Sequence, residues 1–73
     1  MDRYKIIFEE VVREIDRARK KHKPYNSHHE AYAVMLEEVE EYWDSIKVNR
    51  PNPCELVQVA AVAMMALNDL YGE

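Results

Sequence analysis

Val59 to Leu67 reads VAAVAMMAL, an unbroken apolar run, and helix signals stand on its amino-terminal side. Asn52 reads as an N-cap, Pro53 as the first helical residue and Glu55 as the capping-box partner, which predicts a helix over roughly Pro53–Leu70. The run alone is far too short to span a membrane, so no membrane partner is expected. A helix that is apolar all round must be covered all round. The chain has 73 residues, and two other helices drawn from it can cover about two faces of the third. The remaining face is expected to meet another subunit, which predicts an obligate homo-oligomer: a two-fold homodimer, or a dimer of dimers. Ala60, Ala61, Ala63 and Ala66 let helices approach closely.

Composition agrees with a small helical domain over 1–73. A single glycine and an abundance of helix formers point to an all-α chain. A chain this short buries only about 60% of its unfolded surface, so a lone monomer is marginal. Cys54 is the only cysteine, which rules out an internal disulfide and fits a reduced, cytoplasmic setting. Three scattered histidines and one cysteine make no closed zinc site. The amino terminus is charged from Asp2 onward, unlike a secretory signal. A net charge of −4 argues against a nucleic-acid partner.

The first helix is expected from about Asp2 to about His22. Ile7, Phe8, Val11, Ile15 and Ala18 keep helical spacing, and Glu9–Arg13 and Asp16–Lys20 are spaced for i,i+4 pairs. The basic run Arg19 to Lys23 answers the helix dipole and is also able to hold phosphates. Pro24 then makes helical continuation unfavourable.

Ser27 with Glu30 is a capping-box signature, and it opens a second helix that ends near Val48. Tyr32, Met35, Leu36, Val39, Trp43 and Ile46 form one apolar stripe, read as the core row. Ala31, Val34, Glu38, Glu41 and Ser45 form a second row beside it. Ala31 and Val34 would be superfluous on a solvated row, so Glu38 and Glu41 are expected to meet more protein. Two carboxylates about 4 Å apart repel by roughly 4 kcal/mol at an effective dielectric near 20, a penalty that a divalent cation reverses. Oxygen-only ligands suit Mg²⁺, or Mn²⁺, rather than zinc. His28 and His29 fall in the first turn, where free backbone N–H groups also attract anions.

A short connector makes the second and third helices antiparallel neighbours, so the expected architecture is a three-helix antiparallel bundle completed by oligomerisation. Glu41 and Glu55 are then able to face each other across the hairpin. Gln58 is costly in an apolar helix unless hydrogen-bonded, so it closes a polar network or lines a pocket.

Leu36-Glu37-Glu38-Val39-Glu40-Glu41, followed after a connector by Glu55-Leu56-Val57-Gln58-Val59, resembles the MazG-like, all-α nucleoside triphosphate pyrophosphohydrolases. That family carries Glu-x-x-Glu on one helix and Glu-x-x-Asp on the next, and the four carboxylates hold Mg²⁺. The resemblance implies a MazG-like four-helix-bundle core, with Glu38, Glu41 and Glu55 as metal ligands and catalytic residues. Gln58 stands where the family has its aspartate, which removes one anionic ligand. The implied reaction is Mg²⁺-dependent hydrolysis of a nucleoside triphosphate, ribo- or deoxyribo-, to the monophosphate and pyrophosphate. Lys23, Lys47 or Arg50, with His29 and Gln58, would bind the substrate, and Tyr25, Tyr42 or Trp43 would stack on its base. The alternatives are a catalytically weak nucleotide- or metal-binding relative, and a helical dimeric interaction module with solvated glutamates.

Overall fold

The computed structural model describes residues 2–71, and these form three α-helices with no strand among them: α1 (Arg3–Arg19), α2 (His28–Lys47) and α3 (Pro53–Tyr71). The expected helices are all present, with α1 stopping three residues short of His22. Its last turn closes through Lys21 and His22 N–H groups, both donating to the Ala18 carbonyl.

Each helix start is capped from the sequence. Asp2 Oδ1 accepts from Tyr4 N at 2.9 Å, Ser27 Oγ from Glu30 N at 3.1 Å, and Asn52 Oδ1 from Cys54 N at 3.0 Å. The capping boxes are not closed as expected, however. Glu30 accepts from the N–H of Asn26 at 2.7 Å rather than from that of Ser27. Glu55 does not cap at all, because the Asn52 N–H turns to Ser45 Oγ at 3.3 Å. The end of α2 is a Schellman motif: Arg50 N donates to Ser45 O and Asn49 N to Ile46 O, with Asn49 left-handed at φ 61°.

The helices lie in a layer with α3 in the middle. α3 packs against both α1 and α2, whereas no Cα of α1 comes within 8 Å of one of α2. His28 stacks near Tyr71 at 5.3 Å and Arg19 reaches Asp69, so α2 runs antiparallel to α3 and α1 runs parallel to it. The result measures 39 × 33 × 19 Å. A thickness of 19 Å is less than two helix diameters of about 10–12 Å. The chain is thus more open than the expected bundle.

That openness overturns the assignment of the core row on α2. Val11, Ala61, Val62 and Met65 form the buried cluster, with Val34 and Met35 packed against it, and Ala31 is buried as well. The row containing Ala31 and Val34 therefore faces α3. Of the stripe read as core, only Met35 touches the cluster, and Tyr32, Leu36, Val39, Trp43 and Ile46 are exposed. Small residues won the contact because they let α2 approach α3 closely. On α1 the stripe is buried at Val11 and partly buried at Ile15 and Ala18, while Tyr4, Ile7 and Phe8 are exposed.

α3 as a whole is long and apolar enough to cross a membrane by length and composition, a property that the central run alone understates. Only 17% of its most apolar window is buried.

One polar contact locks the three parts of the chain together. Arg19 Nη2 donates to both Asp69 oxygens at 2.6 Å, and the Tyr25 N–H donates to Oδ2 at 2.8 Å. The Asp69 side chain is 3% exposed and that of Arg19 25%. Burial works against the Asp69 charge, but the Arg19 and Tyr25 hydrogen bonds and that of the Asn68 amide outweigh it, so its pKa is lowered. The neighbouring Glu9–Arg13 and Asp16–Lys20 pairs do not form; the ion pairs on helix surfaces are Glu14–Arg17 and Asp44–Lys47.

Asp69→Asn leaves Arg19 without its counter-charge. It should lower unfolding stability by about 2–3 kcal/mol in urea melts at pH 7, somewhat less than the 3–5 kcal/mol for a fully buried pair. The wild-type contribution is lost as pH falls below the ordinary value of 3.8, because the folded state holds the carboxylate ionised.

Candidate metal centre and cleft

Glu38 and Glu41 are one turn apart on α2, and Glu55 lies in the first turn of α3. The antiparallel hairpin brings one oxygen of each to within 4.8 Å of the others. Oxygens sharing an Mg²⁺ at about 2.1 Å lie about 3.0–4.2 Å apart, so shifts of about 1 Å would gather these three on one ion. Since Glu55 makes no cap, its carboxylate is free for this cluster.

No cation offsets the cluster: the ion pairs among the described residues are those of Glu14, Asp44 and Asp69. Burial first, then the charge of Glu41 and a hydrogen bond with it, then Glu55 and Glu37, push the Glu38 carboxyl up to about 7. Burial, a hydrogen bond with Glu41 and the charge of Glu41 raise Glu55 as well. Glu38 and Glu55 are thus pushed toward their protonated forms where a metal ion would supply positive charge.

Gln58 lines the cleft and is placed beside the carboxylates. With its amide nitrogen toward the carboxylates, it donates to Glu38 Oε2 at 2.8 Å and to Glu55 Oε2 at 3.3 Å. It is the neutral member of the group, and in this orientation it links the α3 carboxylate of Glu55 to that of Glu38 on α2.

Beside this cluster, the gap between α1 and α2 forms a cleft over α3. One compartment of about 230 Å³ is lined by Glu14, Arg17, Lys21 and His22 on one side, Glu38 on the other, and Gln58, Val62 and Met65 below. A second, of about 500 Å³, adds Lys23, Pro24, Asn26 and Glu37. Tyr25 and Glu38 line both, so the compartments adjoin.

The substrate-binding expectations divide. Lys23 and Gln58 line the cleft. His29 is exposed and lines none of these hollows, and Lys47 is paired with Asp44 at 3.1 Å and lies 6.0 Å from the Trp43 ring centre. Neither belongs to the site, because the row of α2 that faces α3 is the one through Ala31 and Glu38. Arg19 is spent on Asp69, and its guanidinium lies 5.8 Å from the Tyr25 ring. Tyr25 faces the cleft, whereas Trp43 is 54% exposed outside it. Lys21 and His22 belong to the basic run read as able to hold phosphates, whereas sequence reasoning missed Arg17 on the same wall. Its i,i+4 spacing to Lys21, on the row that also carries Glu14 and Ala18, was the available signal.

Comparison with family models, with curated proteins and with solved structures returns no match.

The cluster gives stability a pH dependence. Glu38 titrates near 4.5 when unfolded and about 7 when folded, so the folded state holds the extra proton between those values. Its contribution is therefore present below 4.5 and is lost as pH rises to about 7. A bound divalent cation should reverse that loss. At about 100 times its Kd it adds about 2.7 kcal/mol, or about 11–22 °C in Tm for a chain of this size. Thermal melts with Mg²⁺ and Mn²⁺ at pH 8 should show the gain, with less at pH 5, where protons compete. An equal gain in Glu38→Gln and Glu41→Gln would place the ion elsewhere.

Proposed function

We propose that the chain is a small MazG-like nucleoside triphosphate pyrophosphohydrolase that forms a monophosphate and pyrophosphate. The supporting observation is the convergence of Glu38, Glu41 and Glu55 from two helices, with no cation to offset them, at the wall of a cleft whose opposite wall carries Lys21, His22 and the Glu14–Arg17 pair. Those three carboxylates are the ones to hold Mg²⁺ or Mn²⁺, and a reduced cytoplasmic setting suits the exposed Cys54.

Bound Mg²⁺ supplies neutralisation of phosphate oxygens and a water of lowered pKa. The chain's own residues do the rest. Lys23, with Lys21 and His22, lines the cleft where the outer phosphates of a nucleotide would lie, while Arg17 beside them is held by Glu14. The apolar floor at Val34 and Met65, beside Tyr25, gives a sugar and base a place to pack. Glu37 lines the larger compartment outside the three-carboxylate cluster, free to hold a water and accept its proton. Gln58 orients Glu38 and Glu55 without adding charge.

Pyrophosphate release from a panel of ribo- and deoxyribonucleoside triphosphates tests this reading. Turnover should require Mg²⁺ or Mn²⁺ and fall by roughly 100-fold or more in Glu38→Gln, the scale of losing a charge-stabilising group. No turnover with any nucleotide would overturn it.

The two hydrogen bonds from Gln58 favour one further reading, a relative that binds metal or nucleotide and turns over slowly. The amide occupies carboxylate lone pairs that a metal needs, and it brings no charge of its own. On that reading Gln58→Asp gains activity strongly, while on the first it gains none.

A further inference from the structure

Five exposed apolar residues on α2, Tyr32, Leu36, Val39, Trp43 and Ile46, are spaced four, three, four and three residues apart. That is a strict 3.5-residue repeat, the pattern that seats one helix against another by knobs into holes. It differs from the wider face with which a helix meets a globular core or a lipid surface. α2 already meets α3 through the separate row of Ala31 and Val34, so the five residues of the repeat stay exposed among the described residues.

The missing area has the size of a subunit interface. A folded monomer of 8.7 kDa is expected to expose about 4,700 Å². This chain exposes 5910 Å², an excess of roughly 1,200 Å² over that expectation. A stable interface covers about 800 Å² per partner, and obligate homodimers cover more.

We propose that the outer seam of α2 is a two-fold interface with α2 of a second copy of this chain. An isologous contact of this kind closes on itself, so it covers the seam on both copies at once and leaves no edge for further growth. It places the interface on α2 rather than on α3, and it holds whether or not a nucleotide is cut.

Trp43 is the only tryptophan and sits in the seam, so its emission reports this surface and no other. Sedimentation equilibrium and tryptophan fluorescence on the full chain, over a dilution series, test the proposal together. The expected result is a dimer whose Trp43 emission is blue-shifted and moves to the red as it dissociates. Leu36→Glu and, separately, Val39→Lys should weaken association by about tenfold or more while far-ultraviolet circular dichroism remains helical. A monomer at the highest concentration would overturn the proposal, and so would a dimer whose Trp43 emission stays that of an exposed indole. Association unchanged in both variants, or obtained only with lipid vesicles, would also overturn it.

Discussion

The structure depends on what can cover α3. This helix carries apolar side chains on every side, and the chain supplies two flanking helices whose Cα atoms come within 8 Å of it but not of each other. The contact draws small residues from both flanks, Ala18 on α1 and Ala31 and Val34 on α2, beside Val11, Ile15 and Met35. The close approach gives a tight but narrow core: the buried cluster is Val11, Ala61, Val62 and Met65. Larger apolar residues are displaced outward, onto the seam of α2 and the first turns of α1. At roughly 25 cal/mol per Å² of apolar surface, such displacement forgoes much of the stabilisation that a chain of this length needs. The same geometry opens the cleft, because α1 and α2 stand apart on either side of α3.

The polar residues of α3 show how differently one helix face can be treated at its two ends. Gln58, Val62, Met65 and Asp69 lie on one face, at spacings of three and four. At the carboxyl-terminal end Asp69 is buried with Arg19 and the Tyr25 N–H, and its pKa is lowered. At the amino-terminal end Glu55 meets Glu38 and Glu41 with only the Gln58 amide between them, and the pKa values of Glu38 and Glu55 are raised. The first end is electrostatically complete and fixes the linker against the bundle. The second carries strain that a cation would relieve, and it adjoins the cleft. This asymmetry separates a structural carboxylate from candidate ligands more clearly than any spacing in the sequence does.

Much of this was legible from residues alone. The three helices follow from capping residues and apolar spacing, and the meeting of Glu38, Glu41, Glu55 and Gln58 follows from the short connector. The row carrying Ala31 and Val34 was read as facing protein, and it does face α3. What the sequence hid was competition between two rows on α2. Both are apolar enough to bury, and the larger residues of the stripe favoured the wrong choice, since hydrophobicity counts size whereas close packing here selects alanine and valine. Glu55 was doubly assigned for a similar reason: a Glu three residues after an N-cap fits a capping box, yet Ser45 took the N–H. His29 and Lys47 fell outside the site because α2 turns them away from α3, an orientation that depends on which row wins.

The central claim is that Glu38, Glu41 and Glu55 form one divalent-cation site. Direct titration of the full chain with Mn²⁺, followed by electron paramagnetic resonance of the free ion, tests it most directly. The account predicts saturable binding at pH 8 that is lost when Glu55, the one carboxylate contributed by α3, is changed to Gln. Undiminished binding in that variant, or no binding in the unaltered chain, would contradict it.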